Sequence, residues 1–594
     1  MYRSRTNPNL CLVILLAISL AGCSAAPELQ ASYDPTTLRF DGQRTYEIEK
    51  EFVGFFPNRA SGMPNNRLAA GWLKDRFSSS GWSCQIDEWE VINYSRPVPM
   101  RNVVCTLPGQ SPQEILVVAH HDQAPTTVEG ADNDGSGIAI LLQLGEIFAS
   151  EAQPAYTLVF VATDAEEYGM LGTRRYIQTH PDTEGIIAGI SLDNLGKNFY
   201  PGLEFEVVGQ FRKFGALWLQ RLAGVAARAA GDLWVPQIRS PLDQITSQAV
   251  PVSFMDQGPM VAAGVPALGY AGTVPPEYAA LHWQTYHSPQ DQMAYQSPDT
   301  LHQSGRAAEA LIRQLLSMKT FPKESGPYLY FPSSDQVLRG LPLWAMFVGL
   351  VALFFLGSYL NGSRSLGEKL PGWREAVPHF LGLWLPLVGA ILLLYLFVAV
   401  GLMDKYELYP ATTKDPATLN PRWPAVILFL LGTGIFLALG RWLVRLYAGS
   451  RPAPTAGSIK GFSLFVVSLA ALYVLAINPF SLLFFLPLLF WFLIGMRKGA
   501  GRILDILFFL LGGLVVYALF YFFGFVIQHL DFAVLWYMMM MFSIGEVGPL
   551  TALAVTAILA AGLSMVVNPS RVVQVEMPVA APPETAPGYA SQLK

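Results

Sequence analysis

Charge is scarce in this chain. Only 14% of its residues are Asp, Glu, Lys or Arg, well below the roughly 25% usual in soluble proteins. The formal net charge is −5 over 594 residues, and no basic field is present to hold a nucleic-acid backbone. Cysteine is scarcer still, with Cys11, Cys23, Cys84 and Cys105 the full set. That excludes a disulfide-built scaffold and a cysteine-rich metal site. Any metal chemistry must come from carboxylates and the eight histidines.

The shortage of charge is uneven. Residues 30–335 read as a soluble unit, whereas residues 340–567 are mostly apolar runs. Residues 1–29 read as a targeting segment: Arg3 and Arg5, an apolar stretch from Leu10 to Ala21, then Leu20-Ala21-Gly22-Cys23, which resembles a bacterial lipoprotein cleavage box. Either Cys23 is the lipidation site, or the segment is an ordinary signal peptide or short anchor with a chance Cys; both readings export the soluble unit. Export permits Cys84 and Cys105, each in a strand-like run, to form a disulfide; the alternative is a pair of buried thiols.

Apolar runs of spanning length occur at about 341–361, 377–402, 423–444, 461–478, 479–496 and 506–528, followed by an apolar region at 531–567 broken at Gly545-Glu546. These give seven or eight expected helices without polar faces. Arg364, Lys369 and Arg374 follow the first span, Arg445, Arg451 and Lys460 the third, and Arg497, Lys498 and Arg502 the fifth. This alternation places the soluble unit outside the cytoplasm, facing the periplasm of a bacterial cell. The middles of the spans hold almost no ionisable residues, which favours an anchor or assembly platform over a coupled transporter. The Pro-rich tail at 568–594 reads as disordered.

Within the soluble unit, residues 100–275 alternate strands and helices. Ile115–Ala119, Tyr156–Thr163, Gly185–Asp193 and Val265–Gly272 read as strands, and Gly135–Ala149 and Tyr168–Gln178 as helices. The pattern predicts an α/β sheet covered on both faces. His120, Glu166, Glu167 and Asp193 each fall at or just after the last apolar residue of a strand, and ligands gather beyond the carboxyl ends of strands in such sheets.

Five motifs carry the chemistry: Ala119–Asp122 (AHHD), Gly130–Gly137 (GADNDGSG), Asp164–Gly172 (DAEEYGMLG), Ser191–Asn194 (SLDN) and Tyr286–Asp291 (YHSPQD). Mixed imidazole and carboxylate donors suit zinc. In the adjacent pair Glu166-Glu167, one carboxylate binds metal while the other takes the proton of an attacking water. Asp122 suits the imidazole of His120 and Asp291 that of His287 as outer partners that fix ring orientation. His121 points away as a bystander.

The set resembles the M28 family of metallopeptidases, which includes bacterial aminopeptidases and the related glutaminyl cyclases; the resemblance covers about residues 45–318. It implies a three-layer α/β/α sandwich with a mixed, mostly parallel sheet, followed here by an all-α polytopic membrane domain. It also implies that His120 and Asp193 bind one metal, Glu167 and His287 the other, and Glu166 acts as general base. The segment Met255–Leu268 is similar to the stretch that precedes the family's last ligand. One departure stands out. The family's bridging Asp falls by strict count on Asn133, flanked by Asp132 and Asp134. Either the loop shifts so that Asp134 or Asp132 bridges, or one zinc binds tightly and a second weakly, or the site is dead. The expected protein is a zinc aminopeptidase acting on peptides and embedded in the bilayer. The alternatives are a non-catalytic receptor or scaffold, and a glutaminyl-cyclase-like acyl transferase.

Overall fold

Seven strands form one mixed sheet at the centre of the N-terminal unit. They are β1 (Ser83–Asn93), β2 (Arg96–Leu107), β3 (Ser111–His120), β4 (Tyr156–Thr163), β5 (Ile186–Leu192), β6 (Leu203–Glu206) and β7 (Ala267–Gly272). Their spatial order is β1-β2-β4-β3-β5-β7-β6. β4, β3, β5 and β7 run parallel, while β1, β2 and the edge strand β6 are antiparallel to their neighbours. The computed structural model describes residues 23–567 except 27, 31, 94, 207–208, 211–212, 232–233, 250–252, 254, 325, 363–365, 406–419, 450–452, 483–533 and 545–546. The targeting segment up to residue 22, the expected span at 506–528, most of that at 479–496 and the tail lie outside the described residues.

The apolar runs of the central strands follow from burial on both faces. Ile115, Val117 and Ala119 of β3, with Leu158, Phe160 and Ala162 of β4, pack into one cluster that includes residues of helices Gly42–Phe55, Pro64–Ser79, Gly137–Ala149 and Pro298–Ser317. The alternate residues Leu116, Val118, Val159 and Val161 face a second cluster with Ile177, Met260 and Val261 from helices Leu171–Thr179 and Gln257–Ala263. A period of two thus divides each strand between two helical layers. The result is the sheet covered on both faces that the alternation of elements predicts, in the three-layer α/β/α form that the family resemblance implies.

Two helix starts differ from the sequence reading. The helix expected from Gly135 starts at Gly137, because Asn133 and Asp134 take non-helical dihedrals in the preceding turn. The helix expected from Tyr168 starts at Leu171, after a left-handed Met170.

Cys84 and Cys105 lie directly opposite each other across β1 and β2 and are disulfide-bonded. Replacing both by alanine is expected to lower stability by about 3 kcal/mol, because the bridge joins residues 21 apart and restricts the unfolded chain. Thermal unfolding of the purified protein, with and without the substitutions, checks this.

Beyond the sheet, strands Tyr328–Phe331 and Gln336–Arg339 form a hairpin joined by Ser24–Ala25; residue 335 lies in its turn. Helix Leu341–Gly362 follows directly. Among the described residues, four helices are long and apolar enough to cross a membrane: Trp373–Ala399, Trp423–Ala448, Gly457–Ile477 and Pro549–Val567. Gly382 and Gly440 mark where the first two touch, since a Cβ on Gly440 would collide with the Gly382 carbonyl.

The expected span at 479–496 does not begin at its predicted residue. Pro479–Ser481 forms a 3-10 turn that docks on the N-terminal unit. Asn478 Nδ2 donates to the Gln248 carbonyl and Ser481 Oγ to that of Ala249, each at 2.6 Å. These donors satisfy carbonyls at the C-terminus of helix Pro241–Ala249 that have no partner within that helix. Phe480 is fully buried between Phe214 and Phe347. A second contact joins the β1–β2 turn to the other half, where the Ser95 N–H donates to the Lys405 carbonyl at 3.0 Å.

Candidate metal centre

Because β3, β4 and β5 are parallel, their carboxyl ends share one edge of the sheet. His120 is the last residue of β3, Glu166 and Glu167 follow β4, and Asp193 follows β5. His287 arrives from the loop after helix Ala279–Thr285. All five are buried. Three residues at or beside these positions hold left-handed backbone: Ala165 before Glu166 (φ 58°), Asn194 after Asp193 (φ 57°) and His287 itself (φ 49°). Such conformations are costly for residues with a Cβ and cluster at functional sites. No sequence signal marks them.

The donors converge in two halves. In the first, His120 Nε2 lies 3.8 Å from Asp193 Oδ1 and 3.9 Å from Glu166 Oε2, and Asp134 offers an oxygen to the same cluster. In the second, His287 Nε2 lies 3.0 Å from Glu167 Oε1. Asn133 stands between them. Its Oδ1 is 2.8 Å from His120 Nε2, while its Nδ2 donates to Glu167 Oε1 at 2.9 Å and is 2.8 Å from His287 Nε2.

Asp132 is engaged elsewhere, whereas Asp134 is held against the backbone while it offers an oxygen to the first half. Asp132 accepts from Gly196 N–H and Tyr200 Oη and pairs with the buried Lys197 at 3.3 Å. Asp134 accepts from the backbone N–H groups of Gly137 and His120. Asn133 therefore occupies the intermediate position, and the loop is not shifted by one residue.

Asp122 approaches His120 Nδ1 at 3.3 Å and accepts from the Glu166 and Glu167 N–H groups. It ties the imidazole to both glutamates. Asp291 differs from expectation. Rather than orienting His287, its carboxylate accepts the N–H groups of Asp132 and Asn133 at 3.1 Å each and so holds the metal loop. His121 is buried beneath the site, and its ring nitrogens make no hydrogen bond.

Sequence reasoning missed Arg59. Fully buried, it donates to the carbonyls of His121, Glu129 and Gly130 and to Gln123 Oε1. It also missed Asp164, which accepts from Ser61, Asn66 and the Arg101 N–H and sets the turn before Glu166. A lone arginine in a loop carries no local signal; Asp164 shares the DAEEYGMLG motif but was overshadowed by the glutamates.

The electrostatics are those of a site with too much negative charge. Burial, reinforced by neighbouring carboxylates, pushes Asp134, Glu166, Asp193 and Glu49 above the usual carboxylate range. Burial also raises Asp256 and Asp291 to about 6. For His120, burial favours the neutral ring, but Asp122 and Asp193 outweigh it and the pKa rises. The buried positive charges near this cluster are Arg59 and Lys197. Divalent cations would compensate such a cluster, and its imidazole, carboxylate and amide oxygen donors are those zinc accepts.

The comparisons with known proteins agree with this reading. Residues 102–312 match the family model described as "Peptidase family M28". The alkaline phosphatase isozyme conversion protein of Escherichia coli is 28% identical over 240 residues, covering 36% of this chain and 68% of that protein. The aminopeptidase YwaD of Bacillus subtilis is 24% identical over 228 residues, covering 38% and 46%. Among solved structures, a glutaminyl cyclase from Porphyromonas gingivalis aligns at 22% identity with a TM-score of 0.40, covering 46% of this chain and 99% of that one. The chain thus spans about two thirds of the first relative and less than half of the second. Residues 102–312 are thus similar to peptidase family M28, and in this chain they are followed by helices long and apolar enough to cross a membrane.

Proposed function

We propose that this protein is a membrane-anchored zinc aminopeptidase that hydrolyses the first bond of peptides on the periplasmic side of a bacterial membrane. The observation that carries the reading is the division of Glu166 and Glu167 between the two halves of the site: Glu166 beside His120 and Asp193, Glu167 against His287. His120, Asp193 and Asp134 would hold zinc in one half of the site, and Glu167 and His287 line the other. When bound, it supplies Lewis acidity toward the scissile carbonyl.

The chain's own groups do the rest. Glu166 takes the proton of the attacking water and passes it to the leaving amine. Asp122 holds the His120 ring so that Nε2 faces the site. Burial of the whole cluster excludes bulk water and strengthens each charge interaction.

Two features support the orientation and anchoring. The membrane-helix ends opposite the peptidase unit bear Arg374, Arg441, Arg445 and Lys460, whereas the ends on its side, at Lys405 and Asn478–Ser481, bear Lys405 and an Arg422 paired with Asp404. Cys23, the proposed lipidation site, packs against the cluster that joins the small hairpin to the first membrane helix.

The test uses the full-length protein in detergent, aminoacyl chromogenic substrates and a peptide with N-terminal glutamine. Release of N-terminal residues, lost on chelation and restored by zinc, is the expected result. Pyroglutamate formation without hydrolysis would replace this reading with acyl transfer, and no turnover of any substrate would overturn catalysis.

A further inference from the structure

Asn133 makes the two halves of the metal centre chemically unequal. Its amide has one acceptor oxygen and two N–H donors. The oxygen faces His120 Nε2 at 2.8 Å, on the side of Asp193 and Asp134. The nitrogen faces Glu167 Oε1 at 2.9 Å and His287 Nε2 at 2.8 Å, so each N–H has its own acceptor. Turning the amide over would set its oxygen against a Glu167 oxygen, acceptor against acceptor. The orientation is therefore set by chemistry.

The consequences for a cation differ between the halves. His120, Asp193 and Asp134, with the amide oxygen, form a donor set in which zinc would displace the Asn133 Oδ1–His120 Nε2 contact and leave the Asn133 N–H contacts to Glu167 and His287 in place. Glu167 and His287 offer two donors, and an amide N–H group points between them. A cation there would meet the positive end of that group, and the amide would have to swing away and give up both hydrogen bonds. The carboxylate that would attract two dications at once is missing.

We propose that the protein holds one zinc ion tightly, on His120, Asp193, Asp134 and the Asn133 amide oxygen. The Asn133 amide N–H groups close the Glu167–His287 half, which takes a second ion only weakly. This rests on the zinc-peptidase reading above and adds which half is filled. The substitution Asn133→Asp replaces the N–H donors with a second acceptor and opens that half.

The test is zinc stoichiometry, by elemental analysis of the full-length protein after dialysis against a weak chelator. About one ion per chain is expected for the wild type and about two for Asn133→Asp. A second pair of variants decides the question even if Asn133→Asp fails to fold: His120→Ala should lose the retained ion and His287→Ala should keep it. Two tightly held ions in the wild type, or an ion lost with His287→Ala and kept with His120→Ala, would overturn the proposal and leave the zinc-peptidase reading standing. No zinc in the wild type, even when it is supplied in excess, would sink both.

Discussion

Glu166→Gln is expected to lower turnover by about 10²- to 10⁴-fold, the range typical for removing a positioned general base. Glutamine keeps the size and shape of the side chain but cannot accept the proton. Its backbone contact survives, because the Glu166 N–H that donates to Asp122 is untouched. Among the described residues, the donor atoms that converge within 4.8 Å of one another come from His120, Asp134 and Asp193, and Glu166 is not one of them. Zinc content should therefore stay at the wild-type level. Initial rates on the best aminoacyl substrate, with elemental analysis of the same sample, check both halves of the statement. A fall in zinc that parallels the fall in rate would make Glu166 a ligand and remove it as the base.

The second large effect is on stability. Arg59→Ala is expected to cost about 3–5 kcal/mol, the scale seen when a buried charge network loses one partner. The guanidinium is fully buried and lies over the Phe52 ring at 4.8 Å. It donates to Gln123 Oε1 and to the carbonyls of His121, just after β3, and of Glu129 and Gly130, where the metal loop begins. Its loss would leave these acceptors unpaired in the interior, each with its own desolvation cost. Arg59→Lys restores a charge but not the planar fork, so it should recover only part of the loss. Thermal unfolding of both variants with zinc present measures the difference.

How much of this was legible in the sequence depends on whether the partners were local. β3, β4 and β5 could be read because burial on both faces leaves continuous apolar runs, and the polar residue ending each run marks the sheet edge. His120, Glu166, Glu167 and Asp193 were visible for that reason, and the structure brings them together with His287. The choice among Asp132, Asn133 and Asp134 was not legible. It is decided by Lys197 and Tyr200, which engage Asp132, and by the Gly137 N–H, which holds Asp134. Asp291 was misread because proximity to His287 in sequence suggested the imidazole, whereas its partners are N–H groups of a distant loop. Apolar length revealed the membrane helices, but Pro479 and Phe480 look the same in a span as in a docking turn. Only their packing against Phe214 and Phe347 distinguishes the two.

That turn bears on how the protein can be handled. Ala249, Leu329 and Leu338 share one cluster with Leu343, Phe347 and Phe480, so a greasy face of the N-terminal unit is shielded by the apolar helical half. Cutting the gene between them would bare this face to water and invite clumping. A water-soluble version would need polar replacements there, or a short linker that retains the Asn478–Ser481 plug.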